Sequence, residues 1–357
     1  MKKVMVGMSG GVDSSAAALL LKEQGYEVMG VTLKMFGNED VAETENPEKT
    51  CCALSDVFDA KSVARRLGFE HLTFNFKECF REKVMKHFVE SYLCGRTPNP
   101  CIECNRHVKF DKMLRRAMEL EFDYIATGHY AVREYDEARG RYLLKRPLDR
   151  SKDQTYVLYS LTQEQLAHTL FPLGNLEKSQ VREIAEKAGL VNSNKPDSQD
   201  ICFIPDGKYA GFIGRFSGES SPKGNFVDTN NNILGRHNGL INYTIGQRKG
   251  LGIALGKPAY VVRKNIAENT VVLGDETDLY TRTLTAEDVN LISVPEITEP
   301  MRITAKTRYS QDDRPAVLSC KDGVYTVEFD EPQRAVTSGQ AVVFYDGDIV
   351  VGGGTIV

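Results

Sequence analysis

The 357-residue chain lacks any apolar run of membrane-spanning length and any excess of basic residues: 45 lysines and arginines face 49 aspartates and glutamates, for a net charge of −4. The first absence argues against a membrane partner. The second argues against indiscriminate nucleic-acid binding, although a local basic surface can still recognise a phosphate backbone. Met1-Lys2-Lys3-Val4 leads straight into a strand, leaving no room for a signal or transit segment, so a cytoplasmic protein is expected. A Walker A loop is missing as well, because that loop needs a lysine followed by a hydroxyl after its second glycine. The nearest approach, Gly252-Ile253-Ala254-Leu255-Gly256-Lys257, is one residue short and is followed by Pro258. A single C-x-x-C occurs with no second, which leaves a structural zinc site short of ligands. Long internal repeats and low-complexity tracts are also absent.

What is present begins at Ser9-Gly10-Gly11-Val12-Asp13-Ser14, with Ser15 behind it. The stretch follows the apolar Val4-Met5-Val6 and precedes Ala16-Ala17-Ala18-Leu19-Leu20-Leu21. That is a strand, a glycine turn and a helix. Gly10 and Gly11 allow a tight turn and close approach of a ligand. Free N–H groups and the positive end of the helix dipole then face one hollow, an anion cradle suited to phosphates. The segment resembles the PP-loop of ATP pyrophosphatases, which split ATP between its α and β phosphates and adenylate a substrate.

Strands and helices alternate over the first 200 or so residues, the pattern of an α/β doubly wound parallel sheet. Strands are expected at 27–33, 71–75 and 124–126, and helices at 52–67, 79–93, 108–120, 155–161, 162–170 and 179–188. A polar, acidic loop is expected over 36–50 and a hairpin over 131–148, turning near 138–140. Beyond about Pro205, helical periodicity fades and glycine, asparagine and β-branched residues take over. Short strands with turns at Asp322-Gly323 and Asp346-Gly347 suggest a small barrel. The expected organisation is a catalytic domain over 1–205, a small mixed or β central domain over 206–280 and a C-terminal β-barrel over 281–357.

Eight cysteines in a chain expected to stay in a reducing compartment read as core fillers, metal ligands or reactive thiols. Cys79, Cys94 and Cys320 read as fillers, and Cys51-Cys52 carries no assigned chemistry. Cys101-Ile102-Glu103-Cys104 is placed in a proline-bent loop just ahead of a helix at Val108, where a thiol ionises more easily. Cys202 stands in Ile201-Cys202-Phe203. Metal-cluster ligation and thiol catalysis both remain open for these residues.

Seven motifs occur in order along the whole chain. They are residues 7–14, Thr97-Pro98-Asn99-Pro100 with Cys104-Asn105, Thr127-Gly128-His129-Tyr130, Ser151-Lys152-Asp153-Gln154, Ile201-Cys202-Phe203, Tyr243-Thr244-Ile245-Gly246-Gln247-Arg248, and Arg308-Tyr309. Together they resemble the bacterial tRNA-specific 2-thiouridylases (the MnmA family). The resemblance implies a sulfurtransferase that uses ATP and Mg2+ to make 2-thiouridine at the wobble position of tRNAs for Lys, Glu and Gln. A cysteine desulfurase or sulfur-relay protein would supply the persulfide.

By that resemblance ATP is held by Gly7, Met8, Ser9, Gly10, Gly11, Val12, Asp13 and Ser14, with Met35 and Gly128, and Asp13 is a candidate for ordering magnesium. Cys202 carries the persulfide. Cys104 releases the sulfur and closes a disulfide with Cys202. Asn99, Pro100 and Cys101 meet the target base. His129, Lys152, Asp153, Gln154, Arg308, Tyr309 and Gln340 contact tRNA. Cys101 departs from the family pattern, which has aspartate there, and so joins the catalytic candidates as a proton-transfer group. It also completes a three-thiol set, Cys101, Cys104 and Cys202, suited to a [4Fe-4S] cluster.

The basic segment Arg139, Arg141, Lys145, Arg146, Arg150 and Lys152 reads as an RNA phosphate surface, with Arg248 and Lys249 as a weaker second patch. Two competitors stand beside this reading. A PP-loop ligase acting on a small molecule explains the cradle but leaves the thiols unused. A non-catalytic iron–sulfur or RNA-binding protein leaves the cradle idle.

Overall fold

The computed structural model describes residues 1–37, 54–196, 201–218 and 221–357. Most of the loop expected over 36–50, together with Cys51 and Cys52, lies outside them. The first strands are β1 (Lys3–Gly7), β2 (Glu27–Lys34), β3 (His71–Asn75) and β4 (Tyr124–Ala126). Next come a hairpin of β5 (Val132–Asp136) and β6 (Arg141–Lys145), and the short β7 (Thr169–Leu170). Five of these form a parallel sheet in the order β3-β2-β1-β4-β7. Val4, Met5 and Val6 of β1 are fully buried, as a central strand covered on both faces requires. The chain runs outward from β1 to β3 and then returns to β4 on the other side. The resulting reversal of strand order opens a crevice at the carboxyl ends of β1 and β4, the usual ligand position in such sheets.

The helices in this part are α1 (Val12–Glu23), α2 (Leu54–Leu67), α3 (Lys77–Phe80), α4 (Lys86–Leu93), α5 (Pro100–Cys104), α6 (Met113–Glu119), α7 (Gln163–Ala167) and α8 (Lys178–Lys187). π-Helical stretches at Arg81–Met85 and Asn105–Lys112 join α3 to α4 and α5 to α6.

Three expectations need correction. The helix expected from Val108 starts at Pro100, so the C-x-x-C lies in its first turn and not in a loop. Proline suits the first helical position, where its missing N–H has no partner to lose. The Asn99 side chain caps the turn by accepting the Cys101 N–H at 3.1 Å. Residues 155–161 hold one 3-10 turn, Thr155–Val157, and 162–170 divides into α7 and the edge strand β7. A ninth helix, α9 (Tyr209–Ser217), stands where periodicity seemed to fade; Gly211 and Gly214 inside it weaken the helical signal.

β8 (Gly224–Val227), β9 (Ile233–His237), β10 (Tyr260–Asn265) and β11 (Thr270–Gly274) form a second sheet in the order β10-β11-β8-β9. The third sheet comprises β12 (Tyr280–Leu291), β13 (Met301–Lys306), β14 (Arg314–Lys321), β15 (Val324–Arg334), β16 (Ala341–Asp346) and β17 (Ile349–Ile356). Pairing of β12 with β17 closes these six into a barrel. Asp322 and Gly323 both have positive φ, the geometry that lets a two-residue turn join β14 to β15.

The hairpin β5–β6 does not join the parallel sheet. It attaches to the barrel, with Lys145 of β6 opposite Ile349 of β17. The two parts also share one apolar core: Tyr156, Leu158 and Tyr159 pack in the same cluster as Ile292, Val343, Tyr345 and Val350.

Candidate active site

The cradle sits at the crevice. β1 ends at Gly7 and α1 begins at Val12, with Gly11 in the capping position and no side chain satisfying the first turn. The N–H groups there are thus available to an anion. Gly10 has φ +76°, and a Cβ on it would collide with the backbone of Asp56 in α2. The Ser14 and Ser15 hydroxyls both donate to the Gly11 carbonyl at 3.1 Å, and Ser14 Oγ accepts the Ser9 N–H at 3.2 Å. These hydroxyls therefore build the turn. Asn192 Nδ2 ties the loop from behind, donating to the Gly10 carbonyl and to Ser15 Oγ at 2.9 Å each. Lys195 reaches the same carbonyl at 3.4 Å while paired with Asp56 and Asp59. On the β4 side, a Cβ on Gly128 would stand only 2.7 Å from Asp13 C and Ser14 N. Gly128 thus lies directly against the first turn of α1.

Asp13, the magnesium candidate, is engaged by two side chains. Both its carboxylate oxygens accept from Lys178 Nζ at 2.7 Å, and Oδ1 also accepts from the Tyr130 hydroxyl at 2.9 Å. Among the described residues, which include Asp13 and the set Cys101, Cys104 and Cys202, no group of three His, Cys, Asp or Glu side chains is placed to hold a metal ion. Tyr130 belongs to the motif Thr127-Gly128-His129-Tyr130, whereas Lys178, Lys195 and Asn192 carry no local motif that connects them to the loop they hold.

The thiols approach the cradle through β2. Cys104 is 7% exposed, and its Sγ lies 3.5 Å from Met35 Sδ. Met35 follows β2, whose Val31 carbonyl accepts the Met8 N–H at 2.7 Å. The neighbouring Phe36 ring is 5.7 Å from Phe80, and Phe80 is 5.6 Å from Phe203, the residue after Cys202. Cys202 itself is half-buried and packs on the core cluster that contains Cys104. Cys101, three residues before Cys104 in the same helix turn, is exposed.

The barrel meets the C-x-x-C segment along one edge. Gln340 Nε2 donates to the Thr97 carbonyl at 2.7 Å, and the Thr97 N–H donates to the Ser338 carbonyl at 2.9 Å. Tyr309 is exposed, with Tyr156 6.0 Å away and Lys306 Nζ 5.6 Å over its ring. Partial burial, and then the negative charges of Asp153 and Cys101, make its hydroxyl less acidic than usual.

Other expected tRNA contacts bond within the protein. Arg308 donates to the Ala335 carbonyl at 2.6 Å and to Thr337 Oγ1 at 3.0 Å. Asp153 is buried and accepts from the Thr155 N–H and hydroxyl at 2.9 and 2.6 Å. Gln154 Oε1 accepts the Tyr130 N–H at 2.9 Å. His129 Nδ1 is 2.8 Å from Thr127 Oγ1, with Phe110 and Phe171 against its ring, and burial holds it neutral.

The basic segment is largely neutralised. Arg139 pairs with Asp136, Lys145 with Glu134, Arg146 with Asp313 and Arg150 with Asp348, while Arg141 donates to the Ile292 carbonyl. Charge counting along the chain misses this, because several of the partners come from the barrel.

In comparisons with known proteins, residues 2–206 match the family described as tRNA methyl transferase HUP domain. Residues 210–275 match the tRNA methyl transferase PRC-barrel domain, and 281–356 the aminomethyltransferase beta-barrel domain. The chain is 57% identical over 356 residues to the tRNA-specific 2-thiouridylase MnmA of Acetivibrio thermocellus, covering 99% of each chain. It is 54% identical over 356 residues to that of Clostridioides difficile, covering 99% of this chain and 98% of that one. Identity to that of Lachnoclostridium phytofermentans is 54% over 358 residues, covering 100% of both.

Proposed function

The chain belongs to the tRNA-specific 2-thiouridylase family, and on that premise we propose that it converts the wobble uridine of tRNA to 2-thiouridine in an ATP-dependent reaction. The observation that carries the reading is the 3.5 Å contact between Cys104 Sγ and Met35 Sδ. It supports a nucleotide pocket and a sulfur site within reach of one substrate.

The chemistry needs both. A uridine C2 oxygen is a poor leaving group. Attack of that oxygen on the α-phosphorus of ATP breaks the α–β bond, expels pyrophosphate and turns the oxygen into part of a departing AMP. The cradle of residues 7–14, with Gly128 behind it, would hold the phosphates through backbone N–H groups. Lys178 would keep Asp13 from repelling them. Magnesium would arrive with ATP rather than on a protein site.

The terminal sulfur of a persulfide on Cys202 then attacks C2. The Cys104 thiolate attacks Cys202 Sγ, the S–S bond breaks with its electron pair going to the transferred sulfur, and AMP leaves with the old oxygen. The products are 2-thiouridine, AMP, pyrophosphate and a Cys104–Cys202 disulfide, which a dithiol must reduce before the next cycle. An external persulfide donor reloads Cys202. Asn99, Pro100 and exposed Cys101 would face the target base, with Tyr309 and Lys152 beside them, and Cys101 would move the proton. In this reading residues 1–205 activate and thiolate, while 206–280 and 281–357 position tRNA from the Lys, Glu and Gln acceptors.

The test is AMP formation and thiolation with unmodified tRNA present and absent. AMP should require tRNA, and Cys202→Ser should abolish 2-thiouridine while leaving AMP formation measurable. AMP formed equally without tRNA would point to a ligase acting on a small molecule. Normal thiolation by Cys202→Ser would end the proposal.

A further inference from the structure

A cavity of about 450 Å3 opens between the end of α4, β10 and the barrel, and no residue of the cradle or of the C-x-x-C helix lines it. Gly95, just past the end of α4, forms one wall. Lys264 of β10 forms another, and Thr283, Thr285 and Ser338 of the barrel region a third. The seam is tight beside Gly95: its φ is +73°, and a Cβ there would strike Ile266 and stand 4.0 Å from Lys264 Cε.

The Lys264 ammonium is buried at its tip and has no hydrogen-bond partner among the described residues. Burial alone lowers its pKa, to about 8, so it is still mostly protonated at neutral pH. An unpaired buried cation is among the least favourable groups a protein can keep, so an anion beside it would be strongly stabilising. The described lining residues include a second cation, Arg263, and several hydroxyls; none is an aspartate or glutamate, and the one carboxylate among them is the backbone terminus at Val357.

We propose that this cavity is a phosphate-binding site in which Lys264 pairs with the anion and the threonine and serine hydroxyls complete its hydrogen bonds. The volume exceeds what a bare phosphate fills and falls in the range of small-molecule pockets. Ile245, Val262 and Val336 add apolar wall, so the phosphate carries an organic group of up to nucleotide size. Two sources share that chemistry, a free phosphorylated metabolite and a phosphate of bound RNA. The first needs nothing from the thiolation reading; the second rests on it. Either ligand would bridge β10, the barrel and Gly95, two residues before Thr97.

The experiment is calorimetric titration of the full chain with inorganic phosphate, with the cradle saturated by a non-hydrolysable ATP analogue. Wild type should bind one phosphate, more weakly above pH 8. Lys264→Met should lose at least about tenfold in affinity and Lys264→Arg should stay within about threefold, since only the cation is required. Lys264→Met removes an unpaired buried charge, so its thermal midpoint should not fall, and loss of binding cannot be ascribed to unfolding.

Adding tRNA separates the sources. With RNA as occupant, saturating phosphate weakens tRNA binding and Lys264→Met shows the same loss. With a metabolite as occupant, tRNA affinity is equal in both proteins. Equal phosphate affinity in wild type and Lys264→Met, an adventitious ion only, or no binding by wild type would overturn the site.

Discussion

Both carboxylate oxygens of Asp13 accept from the Lys178 ammonium at 2.7 Å, although 165 residues separate the two in the chain. Asp13 stands in the first turn of α1, where a carboxylate favours the helix dipole but would repel phosphate. Lys178→Met should therefore leave an unpaired negative charge beside the cradle. Because the pair is partly exposed, the cost is about 1–2 kcal/mol, or roughly tenfold in ATP dissociation constant. Asp13→Asn in the same background should recover most of it. A double variant that binds ATP no better than Lys178→Met would show that charge is not the cause.

Gly128 offers a steric test of the same place. Its missing side chain lets the segment after β4 lie against the backbone of Asp13 and Ser14, and a methyl would stand at 2.7 Å. Gly128→Ala should lower stability by about 1–3 kcal/mol and weaken ATP binding together, as overpacking against backbone does. Gly211→Ala, inside α9 with only Arg215 nearby, is the control and should be neutral or slightly stabilising. Thermal midpoints with and without ATP check both.

Acid should loosen the cradle through His71. Thr32 donates its hydroxyl hydrogen to the Met8 carbonyl at 2.9 Å and lies 3.0 Å from His71 Nε2, while the buried Nδ1 has no partner. Burial, reinforced by the positive charge of Lys61, lowers the His71 pKa from 6.5 to about 4. The folded form thus takes up a proton less readily than the unfolded chain. Its contribution is complete above pH 6.5 and is lost as pH falls towards 4, by roughly 1–3 kcal/mol. Urea midpoints measured across that window should fall more steeply for wild type than for His71→Asn. Parallel curves would remove His71 as the cause.

The hydrogen bond from Gln340 to the Thr97 carbonyl joins the barrel to the turn that precedes the C-x-x-C helix. Gln340→Leu should raise the KM for tRNA several-fold, in line with a lost hydrogen bond of about 1 kcal/mol. The ATP dissociation constant should stay put, because the cradle is built from other residues. An equal loss for ATP and tRNA would indicate general destabilisation instead.

Much of the site could be read in the chain because it is local. Ser9-Gly10-Gly11 between an apolar strand and an alanine-rich run leaves few conformations other than strand, turn and helix, and the observed β1 and α1 follow it. The hairpin around Gly140 was legible for the same reason. What escaped was nonlocal or ambiguous. Pro100 reads as a helix breaker, yet it is also a favoured first residue, and only the Asn99 cap decides between the two. The lysines that frame the loop, Lys178 and Lys195, carry no periodic signal. Arg146 and Arg150 look like an RNA surface until Asp313 and Asp348 arrive from the barrel to meet them.

The attachment of β5–β6 to the last strand has a bearing on biosynthesis. A ribosome releases residues 132–145 long before β17 exists, so the β6 edge of a newly made hairpin stays uncovered until residues 349–356 have been added. During that interval it offers a template to any neighbouring nascent chain. The opposing charges on its exposed rim, Lys145 with Glu134 and Arg139 with Asp136, give the growing polypeptide a guard against sticking to its siblings.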